Sequence, residues 1–259
     1  MTHTTNLPQW PYPRWIAHRG AGKLAPENTL AAFRLGAGYG YRMFECDVKL
    51  SSDGVPFLLH DSSLQRTTDA KTRLPEGSSP TAGDHPWAVL AGLDAGNWHS
   101  PGFATEPLPT LDSVAAFCLA NDLLINLEIK PTPGTERHTG EVVAHNAQWL
   151  WRDSAIKPLL TSFDIPALAG AQAAEPGLPR GLLLDAMRPD WLDVALALDC
   201  QAVVCNYRLW NAQTVSQAKA AGLRTLSYTV NDEAVSQRLI DWGTDGIITD
   251  RVDLFAPAP

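Results

Sequence analysis

The chain has 259 residues, 45% of them hydrophobic and 19% charged, with a formal net charge of -8 at pH 7. This is the composition of an ordinary soluble domain large enough to bury a sizeable core. No window approaches the roughly 20 apolar residues of a membrane span, and the acidic balance argues against a nucleic-acid surface.

The first stretch, MTHTTNLPQWPYPRW, lacks the basic region and apolar run of a signal peptide. Cys46, Cys118, Cys200 and Cys205 show no CxxC spacing and sit in or near apolar runs. They read as buried thiols of a reducing compartment, so a cytoplasmic protein without stable membrane association is expected.

Trp15-Ile16-Ala17 is a short apolar strand ending in His18-Arg19-Gly20. Gly20 and Gly22 permit a tight turn, and Pro26-Glu27-Asn28-Thr29 opens a helix with Asn28 or Thr29 as N-cap. Residues 42–50 then form a strand in which Phe44, Cys46 and Val48 alternate with Glu45, Asp47 and Lys49, so two acids and a lysine share one face. Ser51-Ser52-Asp53-Gly54 is a turn, and Pro56-Phe57-Leu58-Leu59 returns as a second strand ending in His60-Asp61. A solvated edge hairpin explains this stretch as well as a cation site with a histidine beside it.

From about 62 to 107 the chain is polar and rich in turn residues, too long for a simple connection, and reads as an inserted subdomain over one end of a single domain spanning 1–259. His85 and His99 lie in it as surface residues. Alternation then resumes: a helix over 112–119, a strand over 123–130 carrying Glu128 and Lys130 on one face, and a helix over 141–151. A strand over 158–161 leads to Ser162-Phe163 and a helix over 165–174. Strands at 182–184, 202–205, 224–230 and 246–249 follow, separated by helices over 191–198, 212–221 and 233–242, the second closed by Gly222.

Eight nearly continuous apolar strands alternating with amphipathic helices predict a parallel α/β architecture, a closed (β/α)8 TIM barrel with a small insertion after the second-strand hairpin. No GxGxxG follows the first strand, so a nucleotide-binding open sheet has no support. In such a barrel the site lies at the carboxyl ends of the strands. That end collects His18, Arg19, Glu45, Asp47, His60, Glu128, Lys130, Ser162 and Asp250. Three carboxylates on neighbouring strands suit Mg²⁺ or Ca²⁺, two histidines suit acid/base work, and Arg19 and Lys130 suit phosphate oxygens. Together they describe phosphoryl transfer.

His18-Arg19-Gly20, Pro26-Glu27-Asn28-Thr29, Glu45-x-Asp47, His60-Asp61, Glu128-x-Lys130, Ser162-Phe163 and Asp245-Gly246-Ile247-Ile248-Thr249-Asp250 resemble, in this order, the motifs of the glycerophosphodiester phosphodiesterase family. The resemblance spans about residues 14–255. It implies a TIM barrel that hydrolyses glycerophosphocholine, glycerophosphoethanolamine and similar small molecules to glycerol 3-phosphate and an alcohol. It implies one divalent cation, Mg²⁺ or Ca²⁺, on Glu45, Asp47 and Glu128, with His18 and His60 as acid/base pair and Arg19 and Lys130 on the phosphate. Glu27, Ser162 and Tyr228 are accessory candidates. The chain has Tyr228-Thr229-Val230-Asn231 where the family usually begins this stretch with Trp, and it lacks a Pro common near Val252. Two alternatives stay open: a phospholipase D-like enzyme acting on lyso- or sphingolipids, for which Trp87 and Trp98 would line the lipid edge, and a barrel that binds glycerophosphodiesters without cleaving them. Helical faces carrying Trp149, Trp151 and Trp242 suit either a homo-oligomer contact or packing within one chain.

Overall fold

The computed structural model describes residues 10–255 and 257. The polar stretch before Trp10 lies outside the described residues. Among the described residues nine strands are formed: β1 (Trp15–Ala17), β2 (Met43–Leu50), β3 (Pro56–Leu58), β4 (Leu124–Ile129), β5 (Leu159–Ser162), β6 (Arg180–Leu184), β7 (Ala202–Asn206), β8 (Arg224–Tyr228) and β9 (Gly246–Thr249). Eight run parallel in the order β1-β9-β8-β7-β6-β5-β4-β2, and the β1–β2 pairing at Ala17 and Phe44 closes the ring. The ninth, β3, pairs antiparallel on β2 as the expected hairpin. The closed barrel is the architecture that the alternation of the sequence predicts.

The helices between strands are α1 (Leu30–Gly38), α4 (Leu111–Ala120), α5 (Glu136–Leu150), α6 (Ile165–Ala174), α7 (Trp191–Ala197), α8 (Ala212–Ala220) and α9 (Glu233–Asp241). Two short ones, α2 (Ala70–Arg73) and α3 (Trp87–Leu90), lie in the insertion. Thr29 caps α1, accepting from the Ala32 N–H at 3.3 Å. Asn28 is thereby freed for another task. The one large boundary difference is at α5, which starts five residues before the position its periodicity marks. Thr139 and Gly140 are buried there, and a Cβ on Gly140 would collide with the Ala167 carbonyl of α6. Close approach of α5 to α6 thus uses small residues that carry no helix signal of their own.

Each strand splits its side chains between two apolar layers. Phe44, Cys46 and Val48 join Leu127, Ile129 and the α1, α4 and α5 faces outside the barrel. Ile16, Met43, Leu159, Leu183, Val204, Leu226 and Ile248 fill its floor. The insertion has a small core of its own, built on Phe57, Leu64, Leu90, Leu93 and Leu108. His85 and His99 are half-buried there, their Nε2 atoms against the carbonyls of Ser79 (2.8 Å) and Lys23 (3.0 Å). All four cysteines are free and buried. Trp151 is core, Trp242 packs half-buried behind β7–β9, and Trp149 stands 60% exposed with the Arg152 guanidinium 4.7 Å over its ring. Among the described residues no helix is long and apolar enough to cross a membrane.

Candidate active site

Alternation along β2 and β4 turns Glu45, Asp47, Asn126 and Glu128 into the barrel, and parallel pairing sets Glu45 beside Asn126 and Asp47 beside Glu128. The carboxylates are 3%, 1% and 8% exposed, and one oxygen of each lies within 4.8 Å of the others. Three buried negative charges so close cannot all ionise without compensation. Burial, then Asp47 and Glu128, push Glu45 well above its usual range. Burial and Asp47 raise Glu128 to about 7 despite Lys130 at 2.8 Å. Asp47 goes the other way: burial opposes its charge, yet Arg19, Lys130 and an Asn28 hydrogen bond hold it at about 2.

The residues beyond the ends of β1 and β3 complete the ring. Arg19 sits at φ 51° and Gly20 at φ 101°, a left-handed pair that bends the chain sharply. This bend lets the Arg19 N–H donate to Glu45 Oε2 at 3.2 Å. Its guanidinium meanwhile donates to Glu27 at 2.8 Å and lies 3.3 Å from Asp47 Oδ2. His18 Nδ1 is 2.6 Å from Asp250 Oδ1, and His60 Nδ1 is 2.8 Å from Asp61 Oδ1. Both carboxylates are ionised acceptors: Asp250 is held low by His18 and Asn231 in spite of burial, and Asp61 first by Arg66. The ring protons therefore sit on Nδ1, leaving Nε2 of each histidine as the nitrogen with a free lone pair. Burial, with Arg19 and Lys130, lowers the His60 pKa.

His18, Arg19, Glu45, His60, Asn126, Glu128 and Lys130 line one wall of a cavity of about 160 Å³, whose other wall is Phe163, Leu183, Tyr228, Thr229 and Ile248. Ten of the candidates are placed as follows. Seven (His18, Arg19, Glu45, His60, Glu128, Lys130 and Tyr228) line the cavity, and Asp47 lies directly behind them, in contact with Arg19. Glu27 reaches the site through Arg19. Ser162 is at the right strand end but its Oγ donates to the Ile129 carbonyl at 2.7 Å, which bolts β5 to β4. The Tyr228 hydroxyl donates to the Leu184 carbonyl at 2.9 Å and its ring stands edge-on to Phe163.

Several supporting residues lie outside the sequence-based set. Asn28, itself left-handed at φ 59°, clamps Asp47 with an Nδ2–H to Oδ2 bond of 2.8 Å and an Oδ1 acceptor for the Asp47 N–H at 3.1 Å. Asn231 donates to Asp250 Oδ2 at 2.8 Å. Arg66, from the insertion, donates to both oxygens of Asp61 and both of Glu27 at 2.6–2.9 Å. It joins the carboxylate behind His60 to the one behind Arg19. No periodicity marks such residues, because their partners come from distant strands.

Glu45 Oε1 and Asp47 Oδ1 are buried without a hydrogen-bond partner among the described residues. Buried carboxylate oxygens left without a hydrogen bond are costly, and an all-oxygen set of this kind is what a hard divalent cation binds. The residues therefore fit such an ion.

Residues 18–254 match the model of the glycerophosphoryl diester phosphodiesterase family. A glycerophosphodiester phosphodiesterase of Caldanaerobacter subterraneus subsp. tengcongensis is 31% identical over 239 residues, covering 91% of this chain and 93% of its own. An Oleispira antarctica phosphodiesterase, solved in complex with the product sn-glycerol-3-phosphate, superposes with a TM-score of 0.82 at 33% identity over 92% of this chain and 93% of that one. The Agrobacterium tumefaciens glycerophosphodiester phosphodiesterase gives 0.75 at 26% identity, over 95% and 100%. With its strand-end motifs gathered into one cavity and these matches running nearly end to end, the chain belongs to the glycerophosphoryl diester phosphodiesterase family of enzymes.

Proposed function

We propose that this enzyme hydrolyses small glycerophosphodiesters, such as glycerophosphocholine and glycerophosphoethanolamine, to sn-glycerol 3-phosphate and the free alcohol. The observation that carries the reading is the set of three buried carboxylates between two carboxylate-oriented histidines, with Arg19 and Lys130 in the same cavity. The volume of about 160 Å³ has room for a phosphate and a short polyol, and favours water-soluble substrates over those with acyl chains.

Glu45, Asp47 and Glu128 would hold one divalent cation, Mg²⁺ or Ca²⁺, which when bound supplies charge neutralisation and polarisation of the phosphoryl group. Arg19 and Lys130 orient the phosphate, the first with a planar fork and the second as a point charge. His60, kept neutral by burial and by those two cations, is suited to take a proton through Nε2 from the attacking group, either water or the glycerol 2-hydroxyl, the second route giving a cyclic phosphate that water then opens. His18, its tautomer fixed by Asp250, is suited to return a proton to the leaving oxygen. Glu27 holds Arg19 in place, and Tyr228 with Phe163 walls the alcohol or glycerol end. The four free thiols fit a cytoplasmic setting.

The test is release of glycerol 3-phosphate from glycerophosphocholine in EDTA, Mg²⁺ and Ca²⁺, with His18→Ala and His60→Ala alongside. Metal-dependent release, reduced on the order of 10²- to 10⁴-fold in each variant, is the expected outcome. Absence of glycerol 3-phosphate under every condition overturns the assignment.

A further inference from the structure

Among the cavity-lining polar groups, Asn126 has no part in the scheme above, and its surroundings give it one. It lies on β4 two residues, about 7 Å of strand, below Glu128, in register with Glu45, and is fully buried. Its Oδ1 accepts the Thr161 hydroxyl at 2.9 Å, which fixes the amide plane. The residue lines the cavity, and its Nδ2 is buried with no hydrogen-bond partner among the described residues. Buried amide donors are paired in folded proteins, so one held rigidly at a cavity without a partner points to a ligand.

The chemistry of that ligand follows from its neighbours. Glu45 and Glu128 flank Asn126, whereas Lys130 lies two residues further up beyond Glu128, and Arg19 beyond the end of β1. Arg19 and Lys130 therefore draw an anionic phosphate to the level above Asn126. The facing Leu183 and Ile248 are aliphatic. A neutral polar group on a short carbon skeleton suits this level of the barrel, and a hydroxyl accepts from an amide N–H. We infer that Asn126, positioned by Thr161, binds a hydroxyl of the substrate's glycerol moiety and so selects glycerol phosphodiesters over phosphodiesters of simple alcohols. This inference rests on the glycerophosphodiester reading and adds a residue to it.

The test compares binding of sn-glycerol 3-phosphate with that of propyl phosphate, which has the same carbon chain and no hydroxyls, by competitive inhibition or calorimetry on the metal-loaded protein. Wild type is expected to prefer glycerol 3-phosphate by at least about tenfold. Asn126→Leu should weaken glycerol 3-phosphate ten- to a hundredfold, with propyl phosphate changing by less than about threefold, so that the preference collapses. Thr161→Val, which frees the amide without touching the ligand, should lose part of the same preference and serves if Asn126→Leu folds poorly. A preference that survives both variants, or equal weakening of both ligands, overturns the role of Asn126 alone. A wild type that binds neither ligand overturns the glycerophosphodiester reading itself, and the inference with it.

Discussion

Replacing Glu128 by Gln should make the metal-free protein more stable, and only above a definite pH. The Glu128 carboxyl is 8% exposed, within 4.8 Å of two other carboxylates, and raised from 4.5 to about 7 by burial and Asp47, with Lys130 pulling the other way. A carboxyl whose folded pKa lies above its unfolded one favours the fold while protonated. That contribution is complete below about pH 4.5 and is lost as pH rises through about 7. A displacement of about 2.5 pH units at about 1.36 kcal/mol each makes the ionised group cost on the order of 3 kcal/mol at pH 8. Gln keeps the shape of the protonated acid and never ionises. In EDTA, Glu128→Gln should therefore raise Tm by roughly 6–12 °C at pH 8, at about 2–4 °C per kcal/mol for a chain of this size, and by almost nothing near pH 4.5. Adding Mg²⁺ or Ca²⁺ should stabilise the wild type and much less the variant, since the ion binds only the folded carboxylate set. Calorimetric scans at the two pH values decide the matter. A variant destabilised at pH 8 without metal, or one with the same Tm difference at both pH values, would refute the reasoning that these acids are crowded for an ion.

Two further substitutions probe the frame around the site. Arg66→Ala removes the guanidinium shared by Asp61 and Glu27; because Arg66 is 44% exposed, Tm should move by no more than about 2–4 °C, the share of a surface pair worth at most ~1 kcal/mol. Its kcat/KM should nevertheless fall by about tenfold as His60 and Arg19 lose their common tie, with Arg66→Lys rescuing only in part because an ammonium lacks the fork; an unchanged kcat/KM would remove Arg66 from the site. Gly22→Ala should cost both stability, by about 2 kcal/mol or more, and activity: Gly22 is at φ 58°, and a Cβ there would collide with the backbone of Asp250, the residue that orients His18. Gly40→Ala, at φ 88° with nothing within 4 Å of the added carbon, is the matched control for strain alone and should leave kcat unchanged; equal kcat values for the two would show that the Gly22 contact has no bearing on His18.

The parts of this protein that are legible in its sequence are those whose cause is local. Strand alternation in residues 43–50 places Glu45 and Asp47 together on one face, and closure of the barrel then makes that face internal. Turn residues mark the insertion, and Gly222, at φ 85°, ends α8 as its position suggests. What escapes the sequence is set by partners far along the chain. The early start of α5 depends on α6 meeting Gly140. Asn28 looks like a helix cap because its residue type and position suit one, yet Thr29 caps the helix and Asn28 clamps Asp47, nineteen residues on. Arg66 sits in a polar stretch with no periodic signal, and only the folding of the insertion against the β1–α1 loop brings it to Glu27.

The closure of the barrel also explains why the cavity has two unlike walls. Strands β1, β2 and β4 are neighbours in the ring, so the charges that three separate sequence segments carry fall on one continuous arc. The opposite arc, β6, β8 and β9, contributes Leu183, Tyr228 and Ile248 to the same cavity. An ion, two cations and two histidines need one another at hydrogen-bond range and gain from a water-poor surrounding in which their fields are weakly screened. An apolar arc facing them lowers the local dielectric without competing for the same ligands. It also leaves the carbon skeleton of a substrate only one side on which to lie. On the reading proposed above, the order of strands in the ring would set the direction of the substrate as well: phosphate towards Arg19 and Lys130, carbon towards Leu183 and Ile248.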